Sequence, residues 1–364
     1  MEYQRIELEQ IVKPLLSWYD GHARVLPWRE EISPYRVWVS EIMLQQTRVE
    51  AVKPFFERFM KALPDICALA NCPEDELLKL WEGLGYYNRV RNMQKAAQMI
   101  LNEYGGAFPA DYEKLLSLPG IGHYTAGAIG SIAFGLPLPA VDGNVLRVIS
   151  RVTASYEDVL KQSVKNAMEK EIARIIPRER AGDFTQAMIE IGAIVCVPNG
   201  KAKCGECPLA FCCQAKAKGI VEELPKKKIK KERRVEEKTI LVLKEGERVA
   251  IRRRPPKGLL AGLYELPHLE GHLGEDEVLV HVKEWGLTPI RILPLAGAKH
   301  IFSHVEWRMT GYAVSLEETE EMDQNGLFFI DAKETEEKYP IPAAFAVYAR
   351  YMDIVLGQEK YEER

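Results

Sequence analysis

The sequence predicts a two-domain protein, all-α over residues 1–216 and α+β over residues 238–364, and three observations carry that division. Apolar residues recur at helical spacing in segment after segment between residues 5 and 195. Beyond residue 238 the pattern changes to short β-rich runs, Thr239-Ile240-Leu241-Val242-Leu243 and Val249-Ala250-Ile251 on either side of Glu245-Gly246, which read as a strand pair. Between them, residues 217–237 (AKGIVEELPKKKIKKERRVEE) hold a proline and a lysine-arginine run without apolar periodicity. This stretch reads as an interdomain linker, either simply solvated or gaining from a polyanion it crosses.

Composition agrees. With 364 residues, 47% of them hydrophobic, the chain can bury two ordinary cores. A net charge of −4 and a pI near 6.1 argue against a uniformly basic coat, so any grip on nucleic acid must use local patches and backbone amides. The opening MEYQRIELEQ lacks an apolar signal core, and no run approaches the roughly 18 apolar residues of a membrane span. A soluble intracellular protein without membrane contact is expected. Of seven cysteines, five crowd between 196 and 213, which fits a metal or cluster site in a reducing compartment better than a disulfide framework. Cys67 and Cys72 read as packing residues.

Residues 5–20 form a first amphipathic helix, and Ser33-Pro34, a cap followed by proline at the first helical position, begins a second. On that helix Glu41 has Val37, Trp38, Leu44 and Gln45 at its i±3 and i±4 positions, so it points into the apolar stripe. The alternative is a glutamate at the stripe's solvent edge. Inside the stripe its carboxyl would be desolvated, its pKa raised, and the group made a proton donor near neutral pH. In WEGLGYYNRVRN, Gly83 and Gly85 bracket Leu84 in a turn able to insert a side chain into a base stack, whereas Trp81, Tyr86 and Tyr87 read equally as core.

Leu118-Pro119-Gly120-Ile121-Gly122 joins the run Tyr112 to Ser117 to a small-residue helix, His123 to Phe134, as a tight helix-hairpin-helix turn. Glycines at 120 and 122 permit positive φ and bare backbone approach, and the helix start beyond them suits a phosphate oxygen. An ordinary helix connection is the other reading. After the proline-rich break at 135–139, Asp142 stands at the N-cap of a helix with Val145, Val148, Ile149 and Val152 on one face. It could merely cap. A carboxylate there is also kept ionised by the helix dipole, as stabilising a developing cation requires. Glu41 and Asp142 would then be pushed in opposite directions, the pattern of an acid paired with an anion that glycosidic cleavage asks for.

The cysteines run C-x7-C-x2-C, then C-x4-C or C-x5-C, and on spacing alone hold either zinc or a 4Fe–4S cluster. Lys201 and Lys203 in this loop could meet phosphates or simply be solvated.

LPGIGHYTAGAI followed by VDGNVLRVISR resembles the helix-hairpin-helix superfamily of DNA glycosylases. VWVSEIMLQQTRVE together with WEGLGYYNRVRN is similar to the adenine DNA glycosylases of the MutY type. The resemblance covers nearly the whole chain, in the same order. It implies a multidomain fold, an all-α helix-hairpin-helix domain with a 4Fe–4S loop followed by a Nudix-like α+β domain that GLLAGLYELP at 258–267 resembles, with Tyr264 where tryptophan is more usual. It also implies a catalytic domain in two lobes: a helical bundle holding the hairpin, and a lobe made from the N-terminal segment and the cluster region.

By that resemblance Glu41 is the catalytic acid, which protonates a flipped adenine at N7 and afterwards activates water. Asp142 stabilises the oxocarbenium-like sugar and can attack it. Tyr124 and Asn144 position both. Gln46, Leu84 and Tyr86 intrude around the damaged base beside Thr47, while Arg24, Trp28 and Gln186 line the adenine pocket, and Gly120 and Gly122 grip the strand. Members that also cut the strand carry lysine where this chain has Tyr124, so hydrolysis without a strong lyase step is implied. The family's cysteine pattern is C-x6-C-x2-C-x5-C. This chain has one residue more in the first gap, and the last gap selects Cys213 over Cys212 beside Cys196, Cys204 and Cys207.

Phe302-Ser303-His304 matches the loop that reads 8-oxoguanine opposite the target adenine. Residues 278–287, VLVHVKEWGL, lack the glutamate-rich metal helix of a Nudix hydrolase, so the second domain is expected to bind rather than catalyse. The implied partner is duplex DNA containing adenine opposite 8-oxoguanine, met by a monomer in the cytoplasm, at the nucleoid of a prokaryote. Two rivals remain: a monofunctional glycosylase for thymine in G·T mismatches, and a non-enzymatic iron-sulfur DNA-binding protein.

Overall fold

The computed structural model describes residues 8–227, 232–318, 323–324 and 326–356. The chain divides into two compact units, Met1–Asn71 with Asn92–Lys230, and Cys72–Arg91 with Lys231–Arg364. The segment that carries WEGLGYYNRVR thus belongs to the second unit, although by sequence it interrupts the first. Of the expected linker, 217–227 pack with the first unit and Arg234 already opens a strand, while 228–231 lie outside the described residues.

The first unit is helical. α1 (Val12–His22) follows a 3-10 turn, Leu8–Ile11, and residues 5–7 of the expected first helix lie outside the described residues. α2 (Pro34–Met43) starts as its sequence requires, the Ser33 side chain accepting the Arg36 N–H. α3 (His123–Ala128) runs into a π-helical turn, Ile129–Ala133, and α4 (Gly143–Val152) and α5 (Ala181–Ile194) follow. One core cluster packs Ile11 and Leu15 with Val145, Val148, Phe184 and Ile191, and Cys196, Cys207 and Cys212 lie against it. The N-terminal helix and the cysteine-rich loop therefore share one lobe.

α3 comes close to the segment after it because its residues are small. A Cβ at Gly127 would stand 1.9 Å from the Pro139 carbonyl oxygen. Backbone cannot yield at that distance.

The second unit is a mixed eight-stranded sheet. β1 (Arg234–Glu245) pairs antiparallel with β2 (Arg248–Arg253) and parallel with β4 (Val305–Leu316); β3 (Pro289–Ile301) forms a hairpin with β4, and β5 (Leu327–Asp331) pairs with β2. The alternation of β1 divides its side chains between two cores. Ile240 and Val242 face Trp307, Phe345 and Tyr348, whereas Leu241 and Leu243 face Val278 and Val282 of α6 (Glu275–Glu284). No helix among the described residues is long and apolar enough to cross a membrane.

Gly127→Ala is expected to destabilise the first unit by about 3 kcal/mol or more, the upper range for overpacking. Thermal unfolding of the purified variant checks this; an unchanged Tm would contradict the close approach.

Candidate active site

Burial decides the chemistry of the cleft in the first unit. Its volume is about 750 Å³, and Arg24, Trp28, Glu41, Gln46, Thr47, Tyr124, Asp142, Asn144 and Gln186 all line it. Helical periodicity turns Glu41 inward among Val37, Trp38 and Ile42, and the residue is 8% exposed. The Tyr124 hydroxyl, brought by α3, donates to Glu41 Oε2. Desolvation outweighs that bond and pushes Glu41 from the usual 4.5 to about 7, with the nearby Asp142 adding to the rise. The same burial raises Tyr124 well above its ordinary value, so its hydroxyl stays protonated.

Asp142 caps α4, accepting the N–H groups of Asn144 and Val145, both at 2.8 Å, and the Asn144 side-chain amide at 2.6 Å. The expectation that Glu41 and Asp142 are pushed in opposite directions needs correction. Burial pushes Asp142 upward, and its three donors and Arg147 oppose that rise without cancelling it. Glu41 and Asp142 therefore shift in the same direction, and they differ in how many donors face each carboxylate.

The opposite shift belongs to Glu190, which the sequence reading missed. Fully buried on α5, it accepts from Arg24 Nε at 2.6 Å and Arg29 Nη2 at 2.9 Å. Burial raises its pKa, but the two guanidiniums outweigh that and hold it below the usual value. Its spacing of four from Gln186 was the available signal. Arg147, also missed, donates to Asn144 Oδ1 at 2.9 Å, to the Gly192 carbonyl at 2.7 Å and to the Cys196 carbonyl at 2.8 Å, which fixes the amide that holds Asp142.

At the rim, Gln46 is exposed with φ +64°, and the Thr47 N–H closes a turn onto the Leu44 carbonyl at 3.4 Å. In the hairpin only Gly120 uses a positive φ, +78°; Gly122 is extended at φ −98°, ψ −179°, and a Cβ there would meet nothing within 4 Å. The need at 122 is thus open backbone rather than unusual torsion.

Leu84, Tyr86, Phe302, Ser303 and His304 line a separate cavity of about 600 Å³ within the second unit. Leu84, expected to project from its turn, is 5% exposed; Tyr86 projects instead, 49% exposed. The Tyr86 hydroxyl lies 3.0 Å from Ser303 Oγ, and the Phe302 ring packs edge-on against Trp307 with centroids 4.9 Å apart. Trp81 and Tyr87 are buried, as core aromatics should be.

Cys196, Cys204, Cys207 and Cys213 line one small crevice with Arg151, and Cys212 is not part of that lining. Arg151 Nη1 lies 3.2 Å from Cys196 Sγ. Four thiols lining one crevice have the chemistry of an iron-sulfur donor set. No group of three or more His, Cys, Asp or Glu placed to hold a metal ion occurs among the described residues. Lys201 and Lys203 are exposed, Cys72 is buried, and Cys67, expected to pack, is exposed.

A helical hairpin domain with a buried acid and a helix-capping aspartate in one cleft is that of a base-excision DNA glycosylase. The family model of the HhH-GPD superfamily base excision DNA repair proteins matches residues 39–174, and that of the NUDIX domain matches residues 239–350. Among curated proteins, the adenine DNA glycosylase of Mus musculus is 35% identical, the match covering 84% of this chain and 70% of that protein. The adenine DNA glycosylase of Buchnera aphidicola (subsp. Baizongia pistaciae) is 34% identical over 80% of this chain and 82% of that protein. A solved thermostable thymine-DNA glycosylase is 28% identical and superposes with a TM-score of 0.52, covering 58% of this chain and 97% of that one. The chain belongs to the adenine DNA glycosylases, enzymes of base excision repair.

A carboxyl whose folded pKa is raised contributes stability that is full below its unfolded value and lost as pH rises through its folded one. For Glu41 the window runs from 4.5 to about 7. At 1.36 kcal/mol per unit the loss is on the order of 3 kcal/mol. Glu41→Gln is expected to remove that loss, making the variant more stable than the parent at pH 8 but not at pH 4.5. Chemical denaturation at both pH values measures it, and equal pH dependence of the two proteins would contradict the burial argument.

Proposed function

We propose that this chain is a monofunctional glycosylase that hydrolytically removes adenine paired with 8-oxoguanine or guanine in duplex DNA, acting as a monomer. The observation that carries the reading is the buried Glu41 carboxyl, hydrogen-bonded by Tyr124 and half-protonated near pH 7, in the same cleft as the helix-capping Asp142.

The adenine is flipped out of the stack at a cost of a few kcal/mol and enters the cleft beside Trp28, Arg24 and Gln186. The Tyr124 bond occupies Glu41 Oε2 and leaves Oε1 to deliver the proton to purine N7. The N-glycosidic bond then breaks, its electron pair leaving with the purine. Asp142, held by three donors, stabilises the cationic sugar or adds to C1′. Glu41, now a carboxylate, accepts a proton from the water that adds to C1′, displacing the Asp142 carboxylate where that bond has formed, and the product is an abasic site. With Tyr124 where a Schiff-base lysine would stand, the strand stays intact.

Residues of the second unit read the opposite base, a role supported by the pairing of exposed Tyr86 with Ser303 in the 302–304 turn. Residues 278–287 lack the glutamate-rich metal helix of a Nudix hydrolase, and the second unit binds rather than catalyses. Cys196, Cys204, Cys207 and Cys213 would hold a 4Fe–4S cluster, which when bound cross-links the loop carrying Lys201 and Lys203 and supplies no step of the hydrolysis. Such work on chromosomal DNA belongs in the cytoplasm, at the nucleoid of a prokaryote.

Single-turnover base release from A·8-oxoG, A·G, A·T and T·G duplexes tests the reading. Release confined to adenine opposite 8-oxoguanine or guanine is expected; release of thymine, or of nothing, would overturn it. Glu41→Gln should bind duplex and lose at least about 10²-fold in release, the lower range for a general acid. Cys213→Ser should lower iron and inorganic sulfide content, whereas Cys212→Ser should leave both unchanged; the reverse would reassign the fourth ligand.

A further inference from the structure

The backbone that presents Tyr86 is unusually demanding. Gly83, Gly85 and Tyr86 take φ of +98°, +68° and +49°, three left-handed residues within four. Glycine adopts that region freely, but tyrosine does so against a clash of its Cβ with the backbone and needs surrounding structure to hold it there.

That structure comes from two side chains of the second unit. Trp81 Nε1 donates to the Gly85 carbonyl at 3.0 Å. Arg89 Nη2 donates to the Leu84 carbonyl at 3.0 Å and to the Gly85 carbonyl at 3.1 Å. The Arg89 guanidinium also lies over the Tyr86 ring, 5.5 Å from its centroid, and over the Trp81 ring at 5.4 Å. One nitrogen of the planar guanidinium bonds both carbonyls while its flat face stacks on an aromatic ring; a compact ammonium has no such face and holds the loop less rigidly. Burial lowers its pKa only to about 10, so it remains charged at neutral pH.

We infer that Arg89 is a positioning residue for opposite-base discrimination: it holds the 83–86 loop so that the Tyr86 hydroxyl meets Ser303. The inference rests on the reading that Tyr86 and Ser303 sense the base opposite adenine. Arg89 acts only through Tyr86 and touches no reacting atom. Phe302, next to Ser303 in the chain, packs on Trp307, a support for the 302–304 turn that does not pass through Arg89.

The test is the ratio of single-turnover adenine release from A·8-oxoG to that from A·G, measured on the full chain. Arg89→Met is expected to lower the ratio about fivefold or more, the scale of one or two ordering hydrogen bonds. Tyr86→Ala should lower it similarly, and the double variant should fall no further than Tyr86→Ala alone, because coupled residues are not additive. Arg89→Lys, which keeps charge and stem, should lower the ratio by a smaller factor and serves if the methionine variant does not fold. An unchanged ratio in both Arg89 variants, or strict additivity in the double variant, overturns the positioning role while the parent ratio and Tyr86→Ala uphold the reading. An unchanged ratio in Tyr86→Ala overturns the reading itself, and the inference with it.

Discussion

Keeping one carboxyl from water without giving it a cation is the constraint on which the catalytic unit depends. Two glutamates are buried in the same cleft. Glu190 has Arg24 and Arg29 in direct contact and is held ionised, whereas Glu41 has a tyrosine hydroxyl and is pushed to about 7. The difference lies in the partners, since burial acts upward on both. An arginine in place of Tyr124 would turn the acid into a second structural ion pair. The fold therefore has to bring a neutral donor to Glu41, and the hairpin ending at Gly122 sets α3 so that Tyr124 reaches α2.

Asp142 meets a related problem by different means. As the cap of α4 it takes two backbone donors from the helix it starts, and Asn144 adds a third. Arg147 orients that amide and ties it to the Gly192 and Cys196 carbonyls. A Cβ at Gly192 would come within 2.6 Å of Asn144 Cβ, so the close packing of α5 on the start of α4 is part of the same arrangement. Capping and catalysis use the same geometry, and the residue need not choose between them.

What the sequence made legible was local. The Ser33-Pro34 start, the inward turn of Glu41, the Asp142 cap and the strand pair around Glu245-Gly246 each follow from spacing within a few residues, and each is observed. What it hid was set by distant partners. Glu190 is an ordinary helix residue until Arg24 and Arg29 meet it. Leu84 looked free in a glycine turn, yet its side chain is buried and the neighbouring tyrosine projects. The assignment of residues 72–91 to the second unit rests on contacts such as Lys79 with the Tyr339 carbonyl and buried Glu82 with the Ile341 N–H, separated by about 260 residues in sequence. No periodicity within 72–91 could announce them.

The central claim is that a protonated Glu41 delivers the proton that releases the base, and the pH dependence of single-turnover adenine release tests it most directly. With Glu41 titrating at about 7, the rate should be level below that pH and fall roughly tenfold per unit above it, while the residual rate of Glu41→Gln should show no such fall. A parent rate that stays level to pH 9, or a fall that persists unchanged in Glu41→Gln, would contradict the account.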